Sequence, residues 1–416
     1  MFPLLTYPIR PSTAQLAAGN LVFCALAAGS GPLTGSGLAV LVAVSGVWAI
    51  LLLVTRRIDW PADKGIRLAA LLFGLYFLVE LLSGVLNGPD RKTLVQIAEN
   101  LVFLLPLPLF ALLKADKDRL ALVLSRSAST GSLLALAAAM TGLYGYDGPR
   151  LALTCGNPGV LALVGSVMYG LSLTGAAAEE GRMRVAHLAA AGASAALVVM
   201  TGMRIFWPVI AVLPVFVALV MIRSRRTALL AAIGVAVVLA TGAAAAYKAM
   251  PLVQVRIQAA VSDLEHIEEG ALDNSIGLRV AMWRLAAGLI AEKPLLGHGP
   301  GHASEKMSGH FTINGRPVSF SHYHNFLMTA SVRAGIPAAL LLTLAFLFLP
   351  FYALRHTIAT GDRAALARAG TLAIPYLASG LTGLMFGHDI LDCLYFALLP
   401  VLLYLQAGQG ESGQPA

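Results

Sequence analysis

SGLAVLVAVSGVWAILLLVT, Ser36 to Thr55, has no ionisable side chain. It is about as long as the ~20 residues an α-helix needs to cross the hydrocarbon core of a bilayer. Arg56 and Arg57 end it abruptly. Outward from this stretch the pattern repeats. Apolar runs fall at about 14–29, 36–55, 66–86, 94–113, 119–143, 156–175, 185–202, 205–222, 227–247, 325–353, 370–387 and 389–406. The chain is 58% hydrophobic and only 12% charged, with a mean hydropathy of +0.78. A soluble chain carries about twice that charge. The expectation is an all-α, polytopic inner-membrane protein with about 12 transmembrane helices and one large external loop containing amphipathic helices. Its divisions are 1–247 (nine spans), 248–324 (the loop) and 325–416 (three spans and a tail).

Basic residues orient the spans, because Lys and Arg accumulate on the cytoplasmic side. With the N-terminus inside, one set of loops holds Arg56, Arg57, Lys64, Arg67, Lys114, Lys117, Arg119, Arg182, Arg184, Arg223, Arg225, Arg226, Arg355, Arg363 and Arg368. The opposite short loops hold Arg91, Lys92, Arg150 and Arg204. Both termini are therefore expected in the cytoplasm and the long loop outside, which in a Gram-negative cell is the periplasm. The net charge of +8 is read as topology and attraction to anionic lipid, with no nucleic-acid partner. Leu16 to Ala28 resembles a secretory signal, but Phe23 before Cys24 does not fit a cleavage site, so it is read as a retained first helix. Cys24, Cys155 and Cys393 are widely spaced and form neither a metal-ligand set nor a disulfide framework.

Ionisable groups within spans face the bundle interior and find partners. Glu80 or Glu99 is expected to pair with Arg126, with a proton or ion pathway as the alternative reading. Arg204 is isolated between two spans on the side that disfavours basic residues. It stands beside the N-terminus of the next helix, a combination suited to binding phosphate.

The loop begins with an amphipathic pattern over Pro251 to His266. Asp273, Asn274 and Ser275 then offer caps for a second helix from Ile276 to about Ala291, ended by Lys293-Pro294. On that helix Arg279 and Trp283 are four apart and share a face. The turn Gly297-His298-Gly299-Pro300-Gly301 follows a helix and lacks the lysine of a phosphate loop, so its role is read as backbone shape. Six of the nine histidines lie in the loop: His266, His298, His302, His310, His322 and His324. Their spacing disfavours a metal site, and no cofactor is expected. His324-Asn325 stands where the loop returns to the membrane, and a neutral imidazole there suits a general base. Asp389, with His388 at the start of the last span, is read as a helix cap or as a group that orients a base or binds acceptor.

Together these residues resemble the O-antigen ligase/polymerase superfamily. The likeness rests on an arginine in the turn before a central span, Arg279 and Trp283 on one helix, the Pro294-Leu-Leu-Gly-x-Gly-x-Gly turn, and His324-Asn325 followed by Gly335. It covers mainly Thr201 to Gly335. It departs from the family pattern at Ala338, where Gly is usual, and at Met203 and Ile205, which replace small neighbours of the arginine. The resemblance implies metal-independent, inverting transfer of O-polysaccharide from an undecaprenyl diphosphate donor. For the ligases the acceptor is a sugar hydroxyl of lipid A–core oligosaccharide. Under this reading Arg204 and Arg279 clamp the diphosphate and His324 is the base, with His322 its rival. His322, Trp283, Asn325 and Asp389 are expected to contact substrate. An O-antigen polymerase or a protein O-oligosaccharyltransferase shares the donor, and a transporter or flippase is the alternative from another class.

Overall fold

The structure, a computed structural model, describes residues 11–143, 150–268, 275–313, 316–318 and 320–407. Among these the helices in order are α1 (Thr13–Gly29), α2 (Gly31–Thr34), α3 (Gly37–Val54), α4 (Lys64–Leu86), α5 (Arg91–Glu99), α6 (Pro106–Ala111), α7 (Lys117–Thr141) and α8 (Pro158–Ala178). There follow α9 (Gly181–Met200), α10 (Trp207–Met221), α11 (Arg225–Ala249), α12 (Pro251–Glu268), α13 (Ser275–Glu292), α14 (Phe326–Thr360), α15 (Arg363–Thr382) and α16 (Asp389–Gln406). A two-residue strand pair, Thr312–Ile313 with Arg316–Pro317, is the only sheet among the described residues. Helix starts follow the local sequence. Asp63, Asp90, Asp116, Asn157, Ser224 and Asp362 each accept a backbone N–H in the first turn, satisfying donors that a helix leaves open.

Among the described residues, ten helical stretches are long and apolar enough to cross a membrane. Twelve spans were expected. The other two fold as α1, of 17 residues, and α15, whose first turns carry Arg363 and Arg368. The run at 94–113 is not one continuous helix. It divides into α5, a 3₁₀ turn at Asn100–Leu104 and α6, because Pro106 and Pro108 supply no N–H to an ongoing helix. The bundle is centred on α8 and α16, whose apolar windows are 89% and 83% buried, whereas that of α11 is 6% buried. On α16, Tyr395 and Phe396 join Phe73 of α4, Phe103 and Phe386; Phe396 meets the rings of Phe73 and Phe103 edge-on at 4.9 Å. Edge-on contact places a positive ring edge on a negative face.

The loop folds as α12 and α13, matching the two helices read from its pattern. The candidate caps Asp273 and Asn274 lie outside the described residues. After α13 the glycine turn inserts into a break in α14. Ala334 and Gly335 leave helical geometry there, Gly335 at φ 85°. The opened backbone is satisfied by the turn: His298 N–H donates to Val332 O (2.8 Å), Gly299 N–H to Arg333 O (3.0 Å), and Ile336 N–H to Pro294 O (2.7 Å). Ser83 Oγ of α4 adds a bond to Leu296 O (2.5 Å) and Arg333 O (2.8 Å). Glycine is required by space as well as dihedral. A Cβ on Gly335 would lie 2.2 Å from Leu295 O, and one on Gly297 2.6 Å from Val332 O.

One expected ion pair is corrected. Arg126 does not reach Glu80 or Glu99. Its Nη2 lies 2.5 Å from Glu179 Oε2, and Glu179 also engages buried His187 at 2.9 Å. The bond from Arg126 holds the Glu179 carboxyl below the usual carboxylate range. Glu80 instead pairs with a cation that spacing did not nominate, Arg333.

Candidate functional site

Three elements meet where α14 begins. Helix α13 contributes Trp283, whose indole N–H donates to Tyr323 O (3.0 Å). This pins the segment before α14 against the helix that carries Arg279. Tyr323 is buried, with its hydroxyl on Ala303 O (2.8 Å) and its N–H on Thr329 Oγ1 (3.2 Å). Its neighbours His322 and His324 project as a pair, ring centroids 4.4 Å apart. His324 sits at φ 50°, a left-handed conformation that a non-glycine residue seldom adopts and that is often concentrated at working sites. Phe320 packs edge-on against its ring at 5.8 Å.

Burial is the main force on the pair's charge. It lowers His322 to about 3, helped by His324, Arg333 and Arg279, and lowers His324 to about 4, helped by Arg279. Desolvation and nearby cations both disfavour imidazolium. Both rings are therefore neutral at pH 7 and able to accept a proton. Ser321 Oγ lies 3.0 Å from His322 Nδ1.

Arg204 opens the 3₁₀ turn that leads into α10. Its Nη1 donates to Arg256 O of α12 (3.3 Å), while Arg256 Nε donates to Gly202 O (3.0 Å). These arginines neighbour in the chain residues that line an apolar cavity of about 1040 Å³ between α8 and α12. Trp207, Val253 and Ile257 are among those lining residues. The buried Trp207 indole N–H has no hydrogen-bond partner among the described residues. Arg279 thus stands with the histidines, while Arg204 stands next to residues that line the cavity, joined to α12, which packs on α13.

Two further predicted contacts have structural work. Asn325 caps α14, accepting from Leu327 N–H (3.0 Å) and Met328 N–H (3.1 Å), and donates to Leu381 O (3.1 Å). Asp389 accepts from Ser36 Oγ (2.5 Å) and lies 3.0 Å from His388, with no hydrogen bond to the histidine pair. His298 is buried and donates to Leu289 O (2.9 Å), which assigns it to holding the glycine turn. Arg256 and Arg333 are not among the site candidates expected from the sequence. Arg333 carried a usable signal, since a lone arginine within an apolar run requires a partner or a purpose.

Fold and site together define a polytopic helical membrane protein with a neutral histidine pair near Arg279, and with Arg204 and Arg256 next to residues that line a large apolar cavity. Residues 189–343, from within α9 to within α14, match the family model described as O-antigen ligase. This stretch contains Arg204, Arg256, Arg279, His322, His324 and Arg333, and the match supports the O-antigen ligase/polymerase superfamily. No curated protein matches the chain.

Proposed function

We propose that this protein is an O-antigen ligase working at the periplasmic face of a bacterial inner membrane. It transfers O-polysaccharide from undecaprenyl diphosphate to a sugar hydroxyl of lipid A–core oligosaccharide. The observation that carries this reading is the pairing of the cavity with the arginines next to its lining residues. An apolar volume of about 1040 Å³ suits part of a long prenyl chain. Arg204, with the Trp207 indole N–H beside it, suits the diphosphate that follows.

In this mechanism His324 takes the proton of the acceptor hydroxyl. The freed oxygen bonds to the anomeric carbon on the face opposite the leaving group. The bond from that carbon to the diphosphate oxygen breaks, its electron pair leaves on the diphosphate, and configuration inverts. Arg204 and Arg279 stabilise the departing charge with forked hydrogen bonds. Binding also prepares the base. Diphosphate beside Arg279 offsets the cation that helps hold His324 down, so the imidazole becomes more basic when substrate is present.

The test is reconstitution of purified protein with polyprenyl-diphosphate-linked O-polysaccharide and rough lipopolysaccharide, in EDTA. Wild type is expected to produce a lipopolysaccharide ladder. His324→Ala should reduce it about 10²–10⁴-fold, the range for loss of one general base. Near-normal ligation by the variant would transfer the base role to His322. A lengthened donor chain without ligation would identify a polymerase, and no product from wild type would overturn glycosyl transfer.

A further inference from the structure

Helix α14 begins with a short segment, Phe326 to Arg333, before its break. His324 and Asn325 stand at one end of this segment and Arg333 at the other. Arg333 is buried, with 8% of its surface exposed. Its Nη2 donates to Gln96 Oε1 of α5 (2.8 Å), and its Nη1 lies 3.8 Å from Glu80 Oε1 of α4. Tyr76 donates to the same Glu80 oxygen (2.8 Å), and Asn100 donates to the other. The Arg333 carbonyl accepts from Gly299 and Ser83. One residue therefore joins α4, α5, α14 and the glycine turn.

We propose that Arg333 is a positioning residue for the histidine pair: its hydrogen bond to Gln96 and its ion pair with buried Glu80 fix the segment that presents His324. The inference rests on the ligase reading for its consequence in catalysis, although its structural content does not. A spacer of apolar residues would fill the same volume more cheaply, because a buried ion pair seldom exceeds well-packed apolar groups in stability. Arg333 instead supplies fixed geometry and a fixed charge. The charge adds to burial and His324 in disfavouring protonation of His322.

Other charges in the neighbourhood define what the experiment must separate. Arg279 of α13 acts on both histidines. Glu80 offsets Arg333 from α4. From α16, Asp392 interacts with Arg333 and Glu99, and its carboxylate accepts the Gly387 N–H at 2.9 Å. Removing Arg333 alone leaves Glu80 buried without its cation, so a double variant is required.

The experiment compares wild type, Arg333→Lys, Arg333→Met and Glu80→Gln/Arg333→Met in two assays. In ligation, Arg333→Met and the double variant should lose about 10–100-fold in kcat with little change in donor KM, as expected for a displaced catalytic group. Arg333→Lys should recover part of that loss. In the second assay, diethyl pyrocarbonate labels neutral imidazole, and mass spectrometry follows the peptide carrying His322 and His324 against pH. Its acid limb should move to higher pH in Arg333→Met, by less in the double variant where the offsetting Glu80 charge is also gone, and stay near wild type in Arg333→Lys. A double variant with unchanged kcat and an unchanged labelling profile would overturn the proposal. If Arg333→Met does not fold, the double variant carries both readouts. If wild type transfers no glycan, the ligase reading fails, and the labelling profile alone still decides the role of Arg333.

Discussion

His322 and His324 show how two residues of one type acquire a specific state from their surroundings. Both have folded-state pKa values lowered from the ordinary imidazole value of 6.5, to about 3 and about 4. As pH falls, the unfolded chain takes up these protons first. The pair's contribution to stability is therefore complete above about pH 6.5, and is lost as pH falls toward 4 and then 3. The thermal midpoint in detergent should drop more between pH 7 and pH 5 for wild type than for His322→Gln/His324→Gln. Equal drops would remove the pair as the source. The sequence put these two histidines, Arg279 and Trp283 forward as site candidates because their order along one loop follows a recognisable pattern. Arg333 was less legible. Its partner Glu80 lies far away in the chain, and spacing offered Arg126 as a plausible cation. In the folded bundle Arg126 stands instead with Glu179 and His187. Partner choice within a membrane bundle is set by which helices pack together, and that information is not local.

At the scale of elements, the glycine turn and the break in α14 are two halves of one joint. Sequence showed that Gly297 to Gly301 shapes the backbone, since it lacks the lysine and preceding strand of a phosphate loop. It did not show what the turn fits. The fit is a backbone splice in which three turn residues replace hydrogen bonds that α14 surrenders around Gly335. Gly335→Ala must bring a methyl carbon to 2.2 Å from Leu295 O at a φ of 85°. Strain and overpacking each cost about 1–3 kcal/mol in comparable settings. The substitution should lower the thermal midpoint and reduce ligation, because the joint also sets the start of α14. An alanine variant with wild-type stability and activity would show that the joint relaxes freely. The division of the fourth span has a related cause. Pro106 and Pro108 mark the place, and Asn100, at the start of the 3₁₀ turn, donates to Glu80 of the neighbouring α4.

Across the whole molecule, burial is uneven in a way that hydropathy could not reveal. Helices α8 and α11 are both strongly apolar, yet one is 89% buried and the other 6%. Apolar residues suit lipid and protein interior equally well, so composition identifies a span without assigning its neighbours. The cavity between α8 and α12 arises from that arrangement, with small residues such as Ala195, Ala211 and Ala243 along its walls. If it receives the prenyl chain, bulk placed there should discriminate between donors by chain length. Ala243→Trp would occupy part of the volume with an aromatic ring. It should raise KM for an undecaprenyl-linked donor at least several-fold, while a short-prenyl donor, which leaves the cavity largely empty, should retain its wild-type KM. Because Ala243 is remote in sequence from the histidines and Arg279, kcat at saturating donor should change little. Equal effects on both donors would indicate a general distortion of α11, and no effect on either would place the lipid chain elsewhere on the bundle. The donor-length comparison thus separates a cavity that binds lipid from one that only reflects loose packing of a peripheral helix.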